Sequence, residues 1–339
     1  MSKAFNNDLF FSRTLDYLDR YLVGQCGKSE HTVRAYRDAL TVFRRFLLDE
    51  KGISIMSFTF SDCTRDLLLD FMSYMKMKGL KETTCNQRLA AIRAYLWYAS
   101  DGDIKLQPVA LSASRVPFLR EPKLVRPVIG KNELAALLAA PPDTKTGLRD
   151  RTILILLYDS AIRLEELLKL RLSDLNIDNE SPYLRIHGKG DKERIVAITE
   201  KTCDHIRLYL KYFHRDSDNN QWLFYTVFKE QVHQMSPGNV ERLINKYADM
   251  IRPDYPDLPD RVHPHMFRRT RATNLYQDGV ELDLVARILG HSSTMTTRIY
   301  ATPSLEMLRE AMEHNASETE ETPLWLGKEE EMARLFGLR

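Results

Sequence analysis

The sequence predicts a two-part fold: a mainly α N-terminal helical bundle, then an α+β domain that is mostly helical with a small antiparallel sheet. Three observations predict it. Apolar residues recur at helical spacing through residues 9–100, with no strand pattern between them. Residues 101–125 (DGDIKLQPVALSASRVPFLREPKLV) hold three prolines and no sustained periodicity, which reads as a linker. From Arg126 onward, helix-like runs are interrupted by a hairpin pattern around Gly188 and Gly190. The expected bounds are 1–104 for the bundle, 105–125 for the linker, 126–305 for the second domain and 306–339 for a C-terminal tail.

Each element has its own warrant. Ser29 and Thr32 offer capping oxygens before HTVRAYRDALTVFRRFLLDEKG, where Val33, Tyr36, Leu40, Phe43 and Leu47 make one apolar face. Arg34, Arg37, Arg44 and Arg45 fall on other faces. A helix from about Thr64 to Lys78 turns Leu68, Phe71, Met72 and Met75 inward. The next, from about Thr83 to Ala99, carries Leu89, Ile92, Leu96 and Trp97, with Arg88 and Arg93 on its other faces. In the second domain, KNELAALLAA, DRTILILLYDS and residues 203–213, 237–251, 265–278 and 282–289 read as helices. Tyr183–His187 and Arg194–Ile198 read as paired strands, and WLFYTVF (222–228) as a third. Past Tyr300, PSLEMLREAMEHNA reads as a short helix and SETEET as a spacer. The apolar side chains of 324–338 need a surface, on this chain or on a neighbouring protomer.

Bulk properties exclude several classes. The 339 residues suffice for two domains at about 150 residues each. With 43% hydrophobic and 28% charged residues, both can bury a core. No apolar run reaches the roughly 18–20 residues of a membrane span, and the N-terminus lacks the pattern of a secretory signal. The four cysteines are scattered, which argues against zinc or a disulfide framework and for a reducing, cytoplasmic compartment with buried free thiols. Net charge is only +2. It is divided unevenly: residues 303–339 hold nine Glu and four basic residues, a net of −5, which leaves +7 for residues 1–302. A basic body with an acidic tail suits a nucleic-acid partner, or is simply a solvated surface. Lys105, Arg115, Arg120 and Lys123 of the linker could follow a phosphate backbone.

The chemistry is concentrated in a few residues. Arg163 with Glu166, a Gly188-Lys189-Gly190 turn with Arg194 beyond it, His265 with Arg268, Leu289-Gly290-His291, and Tyr300 follow one another in this order. Each alone has a plainer reading: a salt bridge between Arg163 and Glu166, a solvated turn lysine, a surface His–Arg pair, a packing histidine, an ordinary tyrosine. Together they meet the needs of metal-free phosphodiester cleavage. A tyrosine of reference pKa near 10 must lose its proton as it attacks. Fixed cationic donors must meet the charge growing on the phosphate, and arginine's planar fork suits that task. The leaving 5′ oxygen needs a proton, which a lysine can supply.

In order, type and spacing this set resembles the tyrosine recombinase (phage-type integrase) family. Residues 264–301 are similar to the family pattern throughout, and SEHTVRAYRDALTVFRRFL resembles its helical core-binding domain. The likeness covers roughly residues 10–305 and points to a simple two-domain, Xer-like recombinase without an extra N-terminal arm-binding domain. It implies that Tyr300 is the nucleophile, forming a 3′-phosphotyrosine. Arg163, Arg268 and His291 would hold the scissile phosphate, Lys189 protonate the leaving oxygen, His265 act as general acid/base, and Glu166 orient the site. It implies no cofactor, neither metal nor ATP. It also implies a double-stranded DNA partner contacted by Arg34, Arg37, Arg88, Arg93 and Arg194, mainly at phosphates. Four protomers on two duplexes with a Holliday-junction intermediate would follow, with the tail packing on a neighbour, an accessory DNA-bending or directionality factor possible, and a nucleoid-associated location. Mobile-element integration, excision or transposition and chromosome dimer resolution all fit. Two positions depart from the pattern: Arg269 stands where many members have His, and Ala161-Ile162 where Gly-Leu or Gly-Met is common. The rival readings are a relaxing enzyme like the type IB topoisomerases, and a non-catalytic DNA-binding architectural protein.

Overall fold

The structure, a computed structural model, describes residues 8–122, 127–188, 193–215, 218–290, 297–298, 303, 307–309, 312 and 327–338. The chain forms two compact units, Met1–Val125 and Arg126–Arg339. Lys189, His291 and Tyr300 lie outside the described residues, as does most of the tail. No helix among the described residues is long and apolar enough to cross a membrane.

The elements described in the first unit are helices: a π-helical segment Asp16–Gln25, then α1 (Glu30–Lys51), α2 (Arg65–Met77), α3 (Glu82–Asp101) and α4 (Gln107–Ser114). Ser29 caps α1 by accepting from Thr32 N, and Gly52, at φ +66°, ends it in the left-handed region that favours glycine. Thr64 caps α2 in the same way by accepting from Leu67 N. Aromatic rings fill the core: Phe10 lies 5.4 Å from Phe43 and 5.2 Å from Tyr95.

Several expectations are corrected here. On α3, Trp97 is 42% exposed and Tyr95 takes the buried place. The expected linker 105–125 contains α4, which buries Ala110 and Ala113 in the core of the first unit. Pro108 does not stop a helix there. It sits in the first turn, where its missing N–H has no partner to lose. Arg93, expected on DNA phosphates, donates to the carbonyls of Ala113 and Val116 and covers the Phe118 ring. It thereby ties the end of α4 to α3. Of the thiols expected to be buried, Cys26 is exposed and the other three are buried.

The second unit contains α5 (Lys131–Ala139), α6 (Lys145–Asp159), α7 (Leu164–Lys169), α8 (Glu200–Phe213), α9 (Pro237–Ile251), α10 (Pro264–Gln277) and α11 (Leu282–Leu289). Its larger sheet is antiparallel, in the order β1 (Leu175–Asn176), β2 (Tyr183–His187), β3 (Glu193–Ala197). The β2–β3 register runs from Tyr183↔Ala197 to His187↔Glu193, so the strands are paired up to the residues that flank Lys189 in the sequence. That end of the pairing is pinned further, because His187 Nε2 lies 3.0 Å from Asp174 and Nδ1 lies 3.1 Å from Glu193. The predicted strand 222–228 is only partly a strand. Leu223 and Phe224 are core residues, and β4 (Tyr225–Phe228) pairs with β5 (Gln231–Gln234) in a separate two-stranded sheet. Lys229 and Glu230, both at positive φ, make the turn between them.

Candidate active site

Arg163 stands at the N-cap of α7, just past the end of the core helix α6. Two buried residues, Ala161 and Ile162, join the helices. Ala161 adopts φ +50°, a left-handed conformation that a residue with a Cβ disfavours. This gives physical meaning to the departure noted in the sequence, since a glycine would take that conformation without strain. The turn aims the Ala161 carbonyl at Arg268, which donates to it from Nη1 at 2.6 Å.

Arg268 is 1% exposed, the largest fully buried side chain described. Its Nη2 donates at 2.5 Å to the carbonyl of Leu289, at the end of α11. One guanidinium therefore holds the turn before Arg163 and the turn before His291. Gly290, at φ +64°, makes the second turn. The two turns also share an apolar contact, because Ala161 clusters with Ala272, Val285 and Leu289.

Glu166 is the second centre. Its Oε2 accepts from the Arg163 backbone N at 2.8 Å and its Oε1 from Arg163 Nη1 at 2.9 Å. Arg194 adds a bidentate pair, Nη1 to Oε1 at 3.0 Å and Nη2 to Oε2 at 2.8 Å. Burial alone would raise the carboxyl pKa. The hydrogen bonds from Arg194 and the Arg163 backbone, with both guanidinium charges, outweigh that and hold it at about 2. Glu166 thus holds both the backbone N–H and the guanidinium of Arg163. Arg194 does not match its expected DNA contact: both terminal nitrogens are spent on Glu166, inside the unit.

A cavity of about 960 Å³ opens at the N-terminal end of α10 and is lined by Arg163, His265 and Arg268. Arg163 is half exposed, so its guanidinium can serve Glu166 and still meet a ligand. The N-terminal peptide groups of α10 add positive potential there. Arg261 and His263, which escaped the sequence reading, also line the cavity, as does Arg269, noted there only as a departure from the family pattern. The rings of His263 and His265 are parallel, 6.5 Å apart. Burial, with the charges of Arg269 and Arg261, lowers the His263 pKa and keeps the ring neutral near pH 7. Glu165, Glu241 and Asp260 line the same cavity, so it is mixed in sign with a cationic excess.

Of the expected site residues, Arg163, His265 and Arg268 share this cavity, and Glu166 lies behind Arg163. In the first unit, Arg34 is exposed and Arg37 bonds Asp19 at 3.0 Å in an exposed pair. Arg88 is half-buried, with Nη1 4.0 Å from Met75 Sδ.

Arginine and histidine side chains grouped around one cavity give it the chemistry that suits an oxyanion. Comparison with known proteins identifies the class. Residues 127–307 match the model of the phage integrase family, and residues 15–101 match that of the phage integrase N-terminal SAM-like domain. The tyrosine recombinase XerA of Thermococcus kodakarensis is 30% identical over 287 residues, covering 85% of this chain and 90% of that protein. The tyrosine recombinase XerC of Thermodesulfovibrio yellowstonii is 30% identical over 296 residues, covering 84% and 90%. Two solved structures share the fold. The Tn1549 transposon integrase in complex with a circular intermediate DNA superposes with a TM-score of 0.65 at 16% identity, over 89% of this chain and 99% of that one. The XerH recombinase bound to difH gives 0.63 at 22% identity, over 91% and 85%. The chain belongs to the phage integrase family and is a tyrosine-type site-specific recombinase.

The Glu166 cluster predicts an acid-dependent loss of stability. The folded pKa of about 2 lies below the ordinary 4.5, so the stabilisation is fully present above pH 4.5 and is lost as pH falls toward 2. Its size is about 3 kcal/mol. In urea melts, the stability gap between the native protein and Glu166→Gln should shrink as pH drops below 4.5. A gap that stays constant from neutral pH down to pH 3 would contradict the assignment.

Proposed function

We propose that the chain cuts and rejoins duplex DNA at specific sites through a phosphotyrosine at Tyr300. The phenol oxygen of Tyr300 attacks the scissile phosphorus as its proton passes to His265, the general acid/base. The bond from phosphorus to the 5′ oxygen breaks, and Lys189 gives that oxygen its proton. A 3′-phosphotyrosine and a free 5′ hydroxyl result. Arg163 and His291 meet the charge that grows on the non-bridging oxygens, and Arg268, whose Nη groups are held by the carbonyls of Ala161 and Leu289, adds its buried positive charge to theirs. The phosphotyrosine ester keeps the energy of the broken bond, so the reverse attack by a 5′ hydroxyl rejoins the strand without ATP or a metal ion. The observation that carries this reading is the cavity at the head of α10, where Arg163, His265 and Arg268 converge in a chain of this family.

The DNA partner is supported by the solved fold relatives in complex with DNA. The exposed arginine Arg34 and the surface pair partner Arg37 serve as phosphate contacts of the first unit. Two domains carry the division of labour, a core-type DNA-binding unit and a catalytic unit. The working assembly is a tetramer on two duplexes, passing through a Holliday junction, in mobile-element movement or dimer resolution. The tail supplies the contact between protomers. Its helix Glu329–Leu335 and the residues after it leave Leu335, Phe336 and Leu338 63–77% exposed, an apolar strip that needs a partner surface.

Covalent trapping tests the chemistry. On nicked duplexes covering the DNA beside its own gene, with EDTA present, the native chain should form a denaturant-stable protein–DNA adduct and Tyr300→Phe should form none. An adduct that persists in Tyr300→Phe would remove Tyr300 from its role. Truncation after Thr322 tests the tail. Binding to a single site should be unchanged, while assembly of two sites, read by native gel, should fall about tenfold or more, as expected when a linking contact is lost. Normal two-site assembly by the truncated chain would show that the tail serves another purpose.

A further inference from the structure

Arg194 lies on β3, where its parity matches Val196 and its cross-strand partner is Ile186; both of these are buried. Its side chain therefore points into the unit. There it shares Glu166 with Arg163 in a symmetrical way. Each carboxylate oxygen accepts one bond from Arg163 and one from Arg194. The carboxylate is clamped on both edges and cannot rotate without breaking a bond to one arginine. The shaft of Arg194 also lies against the turn that precedes His291. A Cβ added to Gly290 would come within 2.5 Å of Arg194 Nε and 2.7 Å of its Cδ. On that same turn, Leu289 accepts from Arg268.

We infer that Arg194 is a positioning residue for strand cleavage: it fixes Arg163 through Glu166 and seats the turn leading into His291. This rests on the strand-transfer reading above. Only arginine can do both tasks, because its planar fork occupies both carboxylate oxygens while its shaft fills the space that Gly290 leaves open. A lysine would occupy one oxygen and leave the carboxylate free to swing toward Arg163, drawing that guanidinium away from the phosphate. Misplacement of about 1 Å in such a clamp costs on the order of 100-fold in rate.

The experiment uses the full chain, native and Arg194→Lys, on a nicked duplex that the native chain cleaves. Single-turnover adduct formation is measured at saturating protein, together with DNA affinity and thermal melting. A second duplex carries sulfur in place of the 5′ bridging oxygen, so that the leaving thiolate needs no proton. The expected result is near-native affinity with cleavage slowed by about 100-fold, and no recovery on the sulfur duplex, because the fault lies in the phosphate clamp. Native-rate cleavage by Arg194→Lys would overturn the inference. So would a defect that vanishes at saturating protein, which marks a DNA contact, or one that the sulfur duplex repairs, which marks the proton donor. If Arg194→Lys melts early, the double variant Glu166→Gln with Arg194→Met removes the buried carboxylate charge together with Arg194, so that no unpaired anion is left in the cluster and the half-exposed Arg163 is solvated. It should fold and cleave no more slowly than Arg194→Met alone; an additive further loss would overturn the route through Glu166. Absence of any adduct from the native chain would overturn the strand-transfer reading, and this inference with it. A slow Arg194→Lys beside an active native chain separates the two.

Discussion

One buried guanidinium is the constraint on which the second unit depends. Arg268 cannot shed its charge, and at 1% exposure it cannot use water to solvate it. Backbone carbonyls must do so, and two converge on it, from Ala161 and Leu289. Those carbonyls belong to the turns on either side of the expected phosphate site. The chain accepts a left-handed alanine at 161 to make the first of them. Strain of about 1–3 kcal/mol at such a residue persists only where its surroundings over-determine it. The packing of Ala161 among Ala272, Val285 and Leu289 provides that determination.

The Glu166 cluster extends the same logic outward. Arg268 sets the backbone of the two turns from inside, and Glu166 sets the side chain of Arg163 above them. Glu166 is ionised and buried, and loss of Arg194 would remove two of the four hydrogen bonds it accepts while Arg163 stays as its cationic partner. The β2–β3 hairpin enters through Arg194, so the strand that follows the Lys189 loop is tied to the same carboxylate. Helix α7, the hairpin and the end of α11 are thus cross-linked by two arginines and one glutamate. The preorganisation that charge stabilisation requires is built from polar contacts rather than from the apolar core beneath.

Much of this was legible in the sequence where a period or a cap decided the outcome. Ser29, Thr64 and the spacing of Leu40, Phe43 and Leu47 predicted α1 and α2, and the glycines around Lys189 predicted the hairpin. The order of the polar motifs brought Arg163, His265 and Arg268 into one expected site, and the cavity brings them together. The failures have physical causes. Pro108 was read as a breaker because its position in a first turn depends on where the helix begins. Trp97 was counted with the core because hydrophobicity was read without phase, whereas α3 puts Tyr95 there. Arg93 and Arg194 were read as DNA contacts because charge suggests surface. Strand parity with Val196 already marked Arg194 as inward, but the carboxylate that receives it is 28 residues away. No pattern in the sequence reveals that Ala161 is left-handed. That emerges only when its carbonyl is seen against Arg268.

The most direct test of this account is the cleavage rate of Arg268→Lys, measured at saturating protein beside its affinity for the same duplex. A lysine keeps the charge and cannot bridge both carbonyls at once. The account predicts affinity near the native value and cleavage lower by about 100–1,000-fold, the cost of losing one preorganised charge donor. Native-rate cleavage by Arg268→Lys would contradict it, because the two turns would then hold the site without the brace.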